Sequence, residues 1–173
     1  ELLATGGLTG SAWTITVVVA ALSLGGILER TGVLAVIAHA FTSSVRSPGA
    51  LVAGTGVSAI FINALTAQQY MSIVLPGVTL RNTYDELGLD TDQLSRAVEA
   101  AGTPTGALMP WHAGAVFMAS ATGVPTIEYA PYYLFAFLSP FVLFVMAGTG
   151  LTIDADPTSA DADPAETAAP GDD

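Results

Sequence analysis

The sequence contains no cysteine and no lysine; its four basic side chains besides histidine are all arginine. The first absence excludes a disulfide within the chain and leaves the redox compartment open. The second, beside fifteen Asp and Glu, points to a high-salt organism, where strongly acidic chains are favoured. Charge of either sign is scarce, at 11% of residues against about 25% in an average soluble domain. Neither H-E-x-x-H nor G-x-S-x-G occurs, and no Asp falls inside an apolar run. A membrane-embedded hydrolase therefore lacks its usual chemistry, and a non-enzymatic protein without a cofactor or nucleic-acid partner is expected.

The hydrophobic fraction is 51% and the mean hydropathy +0.59. Stretches 2–28, 47–80, 100–127 and 129–153 carry no Asp, Glu, Lys or Arg. A charge-free apolar run of about 18 residues or more is long enough to cross a bilayer, so the lipid bilayer is the expected environment. Seven of the fifteen acids lie in 154–173, an Asp-, Ala- and Pro-rich tail too poor in apolar residues to fold. The division is therefore a transmembrane unit, 1–153, and an acidic disordered tail, 154–173. Residue 1 is Glu, and the first apolar run lacks the basic front and small-residue cleavage site of a signal peptide. A preceding N-terminal portion is expected.

Residues 11–28 fit one span of about 27 Å, with Trp13 near one end as an interfacial aromatic. Residues 29–47 are too short to span. Val33, Leu34, Ile37 and Phe41 recur at helical spacing, as in a helix lying in the interface or a plain loop helix. Stretch 47–80 would be about 51 Å as one helix, yet two full spans and a turn need more than about 40 residues. Its length fits a re-entrant hairpin of two half-helices with Asn63, Thr66, Gln68 and Gln69 at the tip. A long tilted helix with a polar patch is the alternative. Residues 81–99 are a polar loop turning into a helix near Thr91, the expected N-cap.

Gly102-Thr103-Pro104-Thr105-Gly106 combines helix breakers. Segment 92–122 therefore reads as a helix broken inside the membrane, or as a surface helix 92–101 followed by a span 103–122. Residues 129–150 form the last span, with Tyr129, Tyr132, Tyr133, Phe135 and Phe137 as its interfacial belt. A hairpin at 47–80 puts Arg30, Arg46, Arg81 and Arg96 on one side, which the positive-inside rule makes cytoplasmic.

Several of these segments also carry a resemblance. Ala12-Trp13-Thr14, Gly25-Gly26-Ile27-Leu28-Glu29-Arg30-Thr31-Gly32, Gln69-Tyr70-Met71-Ser72-Ile73-Val74-Leu75-Pro76-Gly77 and Leu94-Ser95-Arg96 resemble the NhaC-type Na+/H+ antiporters. Gly102-Thr103-Pro104-Thr105, Pro110-Trp111 and Glu128-Tyr129-Ala130-Pro131-Tyr132 do so as well. The similarity covers about residues 5–150 and is to the C-terminal part of that family. It implies an all-α polytopic fold, the second of two inverted repeats, each with a re-entrant hairpin and a broken helix. It also implies elevator-like alternating access, with helix 33–44 as an arm. The expected partner is then the N-terminal repeat of the same protein, with a homodimer as a further possibility. The expected location is the cell membrane, multi-pass, with a cytoplasmic C-terminal tail. The chain departs from the family pattern at Gln68, where an acid is common, and at His112, where Asn is.

If the resemblance holds, a transported Na+ needs oxygen ligands to replace water. Asn63, Thr66 and Gln69 at the tip and Thr103 and Thr105 at the break can supply them, although each Thr could instead bond back to a helix carbonyl. Proton coupling needs a titratable group beside them. Glu99 and His112 are the candidates, because ionisable groups in a membrane are functional by default. Pairing of Glu99 with Arg96, and a packing role for His112, are the plainer readings. The expected activity is Na+/H+ antiport. Exchange of an organic acid such as malate or lactate, coupled to Na+ or H+, is the alternative, as is a truncated membrane fragment that transports nothing.

Overall fold

The computed structural model describes residues 9, 12–42, 45 and 47–150. The expected tail, 154–173, the end of the expected transmembrane unit, 151–153, and Arg46 lie outside the described residues. Every regular element among the described residues is helical, as the apolar runs require. A backbone in lipid must satisfy its own hydrogen bonds, and a helix does so within one segment.

Helix α1, Ala12–Arg30, is followed across a Thr31-Gly32 turn by α2, Val33–Thr42. Helix α3, Pro48–Thr66, starts at Ser47, whose side chain accepts from the Ala50 N–H, with Pro48 where a missing N–H is harmless. Both α1 and α3 are long and apolar enough to cross a membrane. Helix α3 is also the centre of the fold: α2, α4 (Gln69–Thr79), α6 (Thr91–Thr105) and α9 (Leu134–Thr149) all pack on it. The main core joins Leu51, Val52 and Ala59 of α3 to Leu94, Ala97, Val98 and Ala101 of α6 and Leu143 of α9.

Residues 47–80 do turn back near the expected tip, but the expected pair of half-helices is corrected, because the first arm is a helix long enough to span by itself. Helix α3 runs unbroken through Ala64 and Leu65, and the turn falls at Ala67 and Gln68, so the first arm has 19 residues and the second 11. The chain then folds back: Ser72 of α4 and Ala59 of α3 both lie against Gly102. Residues 81–86, expected as loop, are helix α5, Arg81–Glu86. Its buried Tyr84 donates to Thr55 Oγ1 at 2.9 Å. Burial pushes this phenol up to about 12, partly opposed by the Thr55 bond, so it stays a donor. The N-cap of α6 is Asp90 rather than Thr91, and makes no side-chain cap bond.

The break also lies elsewhere than expected. Helix α6 continues through Gly102, Thr103 and Pro104 to Thr105, tightens into a 3-10 turn at Gly106–Leu108, and is interrupted at Met109–His112 before α7, Ala113–Thr122. Pro104 does not break it because its defect is repaired from outside. Proline lacks the N–H that would bond the carbonyl four residues back, here Ala100, and Ser139 of α9 donates to that oxygen at 2.8 Å. The last span is likewise shorter than 129–150. Helix α8, Thr126–Tyr129, and a 3-10 turn, Ala130–Tyr132, meet α9 at 54°. Tyr129, Tyr132 and Tyr133 therefore precede α9.

Candidate functional site

Two interruptions meet at one place. The first ends α3. Ala67 adopts the left-handed conformation (φ 55°, ψ 24°) and its N–H bonds Asn63 O. That conformation costs a non-glycine residue on the order of 1–2 kcal/mol, so the surroundings must enforce it. Thr66 does so locally. Its hydroxyl lies 2.8 Å from Ile62 O, which accepts it, and Gln68 N–H donates back to it at 3.3 Å. Gln68 then reaches α1, its Nε2 donating to Ala21 O at 3.1 Å. Gly25 makes that approach possible, since a Cβ there would stand 2.8 Å from the amide nitrogen.

The second interruption, 106–112, is tied onto the first. Trp111 Nε1 donates to Ala64 O at 2.8 Å, and Ala113 N to Ala67 O at 3.2 Å. These are carbonyls at the end of α3 that the helix itself leaves without partners. From the other side, Tyr129 OH donates to Ala107 O at 2.7 Å.

Between the ties lies a buried polar chain whose proton positions can be deduced. Gly114 N–H, which can only donate, faces His112 Nδ1 at 3.1 Å. Nδ1 is therefore the bare nitrogen and Nε2 carries the hydrogen. Nε2 lies 2.9 Å from Asn63 Oδ1. Asn63 Nδ2 in turn faces Gly102 O at 2.7 Å, which can only accept, and Thr105 Oγ1 at 3.3 Å. The Thr105 hydroxyl donates to Ala101 O at 2.7 Å. Backbone groups of fixed sense stand at both ends, so the amide orientation and the tautomer follow without choice. Gly106 makes room for the imidazole: a Cβ there would stand 2.7 Å from His112 Cε1.

The structure thus brings Asn63, Thr105 and His112 into direct contact. Thr66 is fully buried but spends its hydroxyl closing the end of α3. Gln69 opens α4 as an exposed residue, and its carbonyl accepts from Ser72 Oγ at 2.7 Å. Thr103 Oγ1 is buried without a hydrogen-bond partner, although a threonine in a helix can usually bond back to a carbonyl. Glu99 is exposed on α6, and among the described residues no ion pair joins it to Arg96. The roles of Trp111, Gly106 and Gly25 were not foreseen. The indole N–H of Trp111, a lone donor beside Pro110, was the one available signal.

Spanning helices, a folded-back hairpin and an interrupted helix meeting it at buried depth define a multi-span membrane protein of the transporter kind. The profile of the Na+/H+ antiporter family matches residues 1–151, and the chain belongs to that family. It is 51% identical over 170 residues to the arginine/ornithine antiporter ArcD of Halobacterium salinarum, covering 98% of this chain and 35% of that protein. It is 42% identical over 148 residues to the Na+/H+ antiporter NhaC of Alkalihalophilus pseudofirmus, covering 84% and 32%. To the malate-2H+/Na+-lactate antiporter of Bacillus subtilis it is 33% identical over 149 residues, covering 86% and 32%. The chain spans about a third of the length of these relatives. No solved structure matches it.

Proposed function

We propose that the full-length protein exchanges Na+ for H+ across the cell membrane by alternating access, with its C-terminal tail in the cytoplasm. The remainder of the same protein would supply the first repeat, and two copies could pair as a homodimer. One observation carries the reading: the hairpin tip and the interrupted helix meet in a buried cluster whose side chains are all neutral. Asn63 and Thr105 offer the amide and hydroxyl oxygens that a desolvated Na+ requires, and Thr66, Gln69 and Thr103 are assigned with them as further ligands although they make no bond to the cluster. Interrupted helices at such a depth are where transporters hold their cargo. The cluster holds no arginine or lysine, so a dicarboxylate would find no permanent countercharge there, and the organic-acid reading is the weaker one.

A second reading is exchange of cationic amino acids. It is favoured by the 51% identity, over nearly the whole chain, to a relative named for arginine and ornithine. Everted vesicles containing the full-length protein separate the two. Na+-driven recovery of a pH-sensitive dye is expected, without uptake of labelled arginine against internal ornithine. The opposite pattern overturns the sodium reading. Proton coupling is assigned to Glu99, His112 or both, Glu99 being exposed on α6. Glu99→Gln is then expected to lower Na+-driven proton movement strongly while expression and unfolding temperature hold. An unchanged dye response would leave His112 or the remainder of the protein as carrier.

A further inference from the structure

We propose that the groove between α6 and α9 binds one anionic phospholipid, with its phosphate on Arg96 and an acyl chain along α9. The groove encloses about 340 Å³, and its lining includes Gln93 and Arg96 of α6 and Phe135, Leu138, Val142 and Met146 of α9. Those four residues recur at three- and four-residue steps, so they form one stripe of α9. From Phe135 to Met146 the stripe rises about 16 Å, close to one leaflet of a hydrocarbon core of about 30 Å.

Arg96 stands where the polar stretch 81–92 gives way to the buried helix, in the second turn of α6. That is headgroup depth for a lipid whose tail follows α9. Asp92 and Glu99 neighbour Arg96 on the same helix, yet among the described residues it pairs with neither. In a chain of net charge −11, a guanidinium at the mouth of an apolar groove selects an anion carrying a hydrocarbon chain. Basic pockets between membrane helices hold acidic lipid headgroups for this reason. Arg96 also offers a planar fork that matches a phosphate. The proposal does not depend on which cargo is carried.

The test uses the full-length protein in nanodiscs of phosphatidylcholine and phosphatidylglycerol with matched chains. After transfer to mild detergent, native mass spectrometry counts the lipids each variant retains. Wild type is expected to retain phosphatidylglycerol in preference. Arg96→Gln should weaken that retention about fivefold, the change one basic residue near an anionic surface makes, while Arg96→Lys keeps most of it. Leu138→Trp, a bulky change at an exposed groove position, should lower retention of both lipids. Equal unfolding midpoints in pure phosphatidylcholine establish that the variants fold. Equal retention by wild type and Arg96→Gln overturns the proposal. So does no preference in wild type, or no effect of Leu138→Trp, which would mean that another part of the full-length chain fills the groove.

Discussion

His112 has two duties that substitution can separate. Its Nδ1 caps α7 by accepting from Gly114 N–H, and its Nε2–H donates to Asn63 Oδ1. Asparagine at this position keeps a capping oxygen but is too short to reach Asn63. Alanine loses both bonds. Each polar group left buried without a partner costs on the order of 1–3 kcal/mol, so His112→Ala should lower the unfolding midpoint of the full-length protein about twice as far as His112→Asn. Equal midpoints for the two variants would mean that the cap and the Asn63 bond are not separate contributions. The residue types of this cluster were legible in the sequence: Asn63, Thr105 and His112 were polar where polarity is expensive. Their pairing was not legible, because residues 49 positions apart meet only once α3 and α6 have packed. Thr66, though placed at the tip, turned its hydroxyl back to its own helix, a choice that local sequence leaves open.

Helix α6 shows how an element can contradict its own breakers. The order Gly102-Thr103-Pro104 argues for an end, and the helix passes through it because Ser139, 39 residues from Ala100, supplies the hydrogen bond that Pro104 cannot. A reading of local propensity cannot see a donor on another helix. Ser139→Ala is expected to cost on the order of 1–3 kcal/mol by leaving Ala100 O bare. In a Pro104→Ala background the helix regains its own N–H, and the same serine change should cost far less. A double-mutant cycle on thermal unfolding measures this coupling; additive effects would disprove the repair. The polar cluster in 47–80 did locate the hairpin turn to within a few residues. Its arms came out unequal because apolar length alone does not say where Ala67 will turn left-handed. The 54° bend before α9 was legible only in Pro131, which the aromatic-rich stretch 129–137, read as one interfacial belt, overshadowed.

At the scale of the molecule, much apolar surface remains uncovered: Trp13, Val78, Ile127 and Leu134 are each at least 70% exposed. In a membrane protein such faces meet lipid or the rest of the chain. Residues 1–173 expressed alone are accordingly expected to fractionate with membranes but to give no Na+-driven dye recovery, whereas the full-length protein gives it. Activity from these residues alone would contradict the proposed division of labour between two repeats.

The junction has one further consequence. Helices α3 and α6 end there, at Thr66 and Thr105, and helices α4 and α7 begin there, at Gln69 and Ala113. Aligned peptide units give each helix a macrodipole, equivalent to about half a positive charge at its start and half a negative charge at its end. Two starts and two ends in one place sum to nothing, yet they set opposite fields side by side over a few ångströms. A cation is stabilised on one flank and an anion on the other, before any side chain is chosen. A junction whose backbone favours neither sign of charge leaves the sign of any bound ion to the side chains around it.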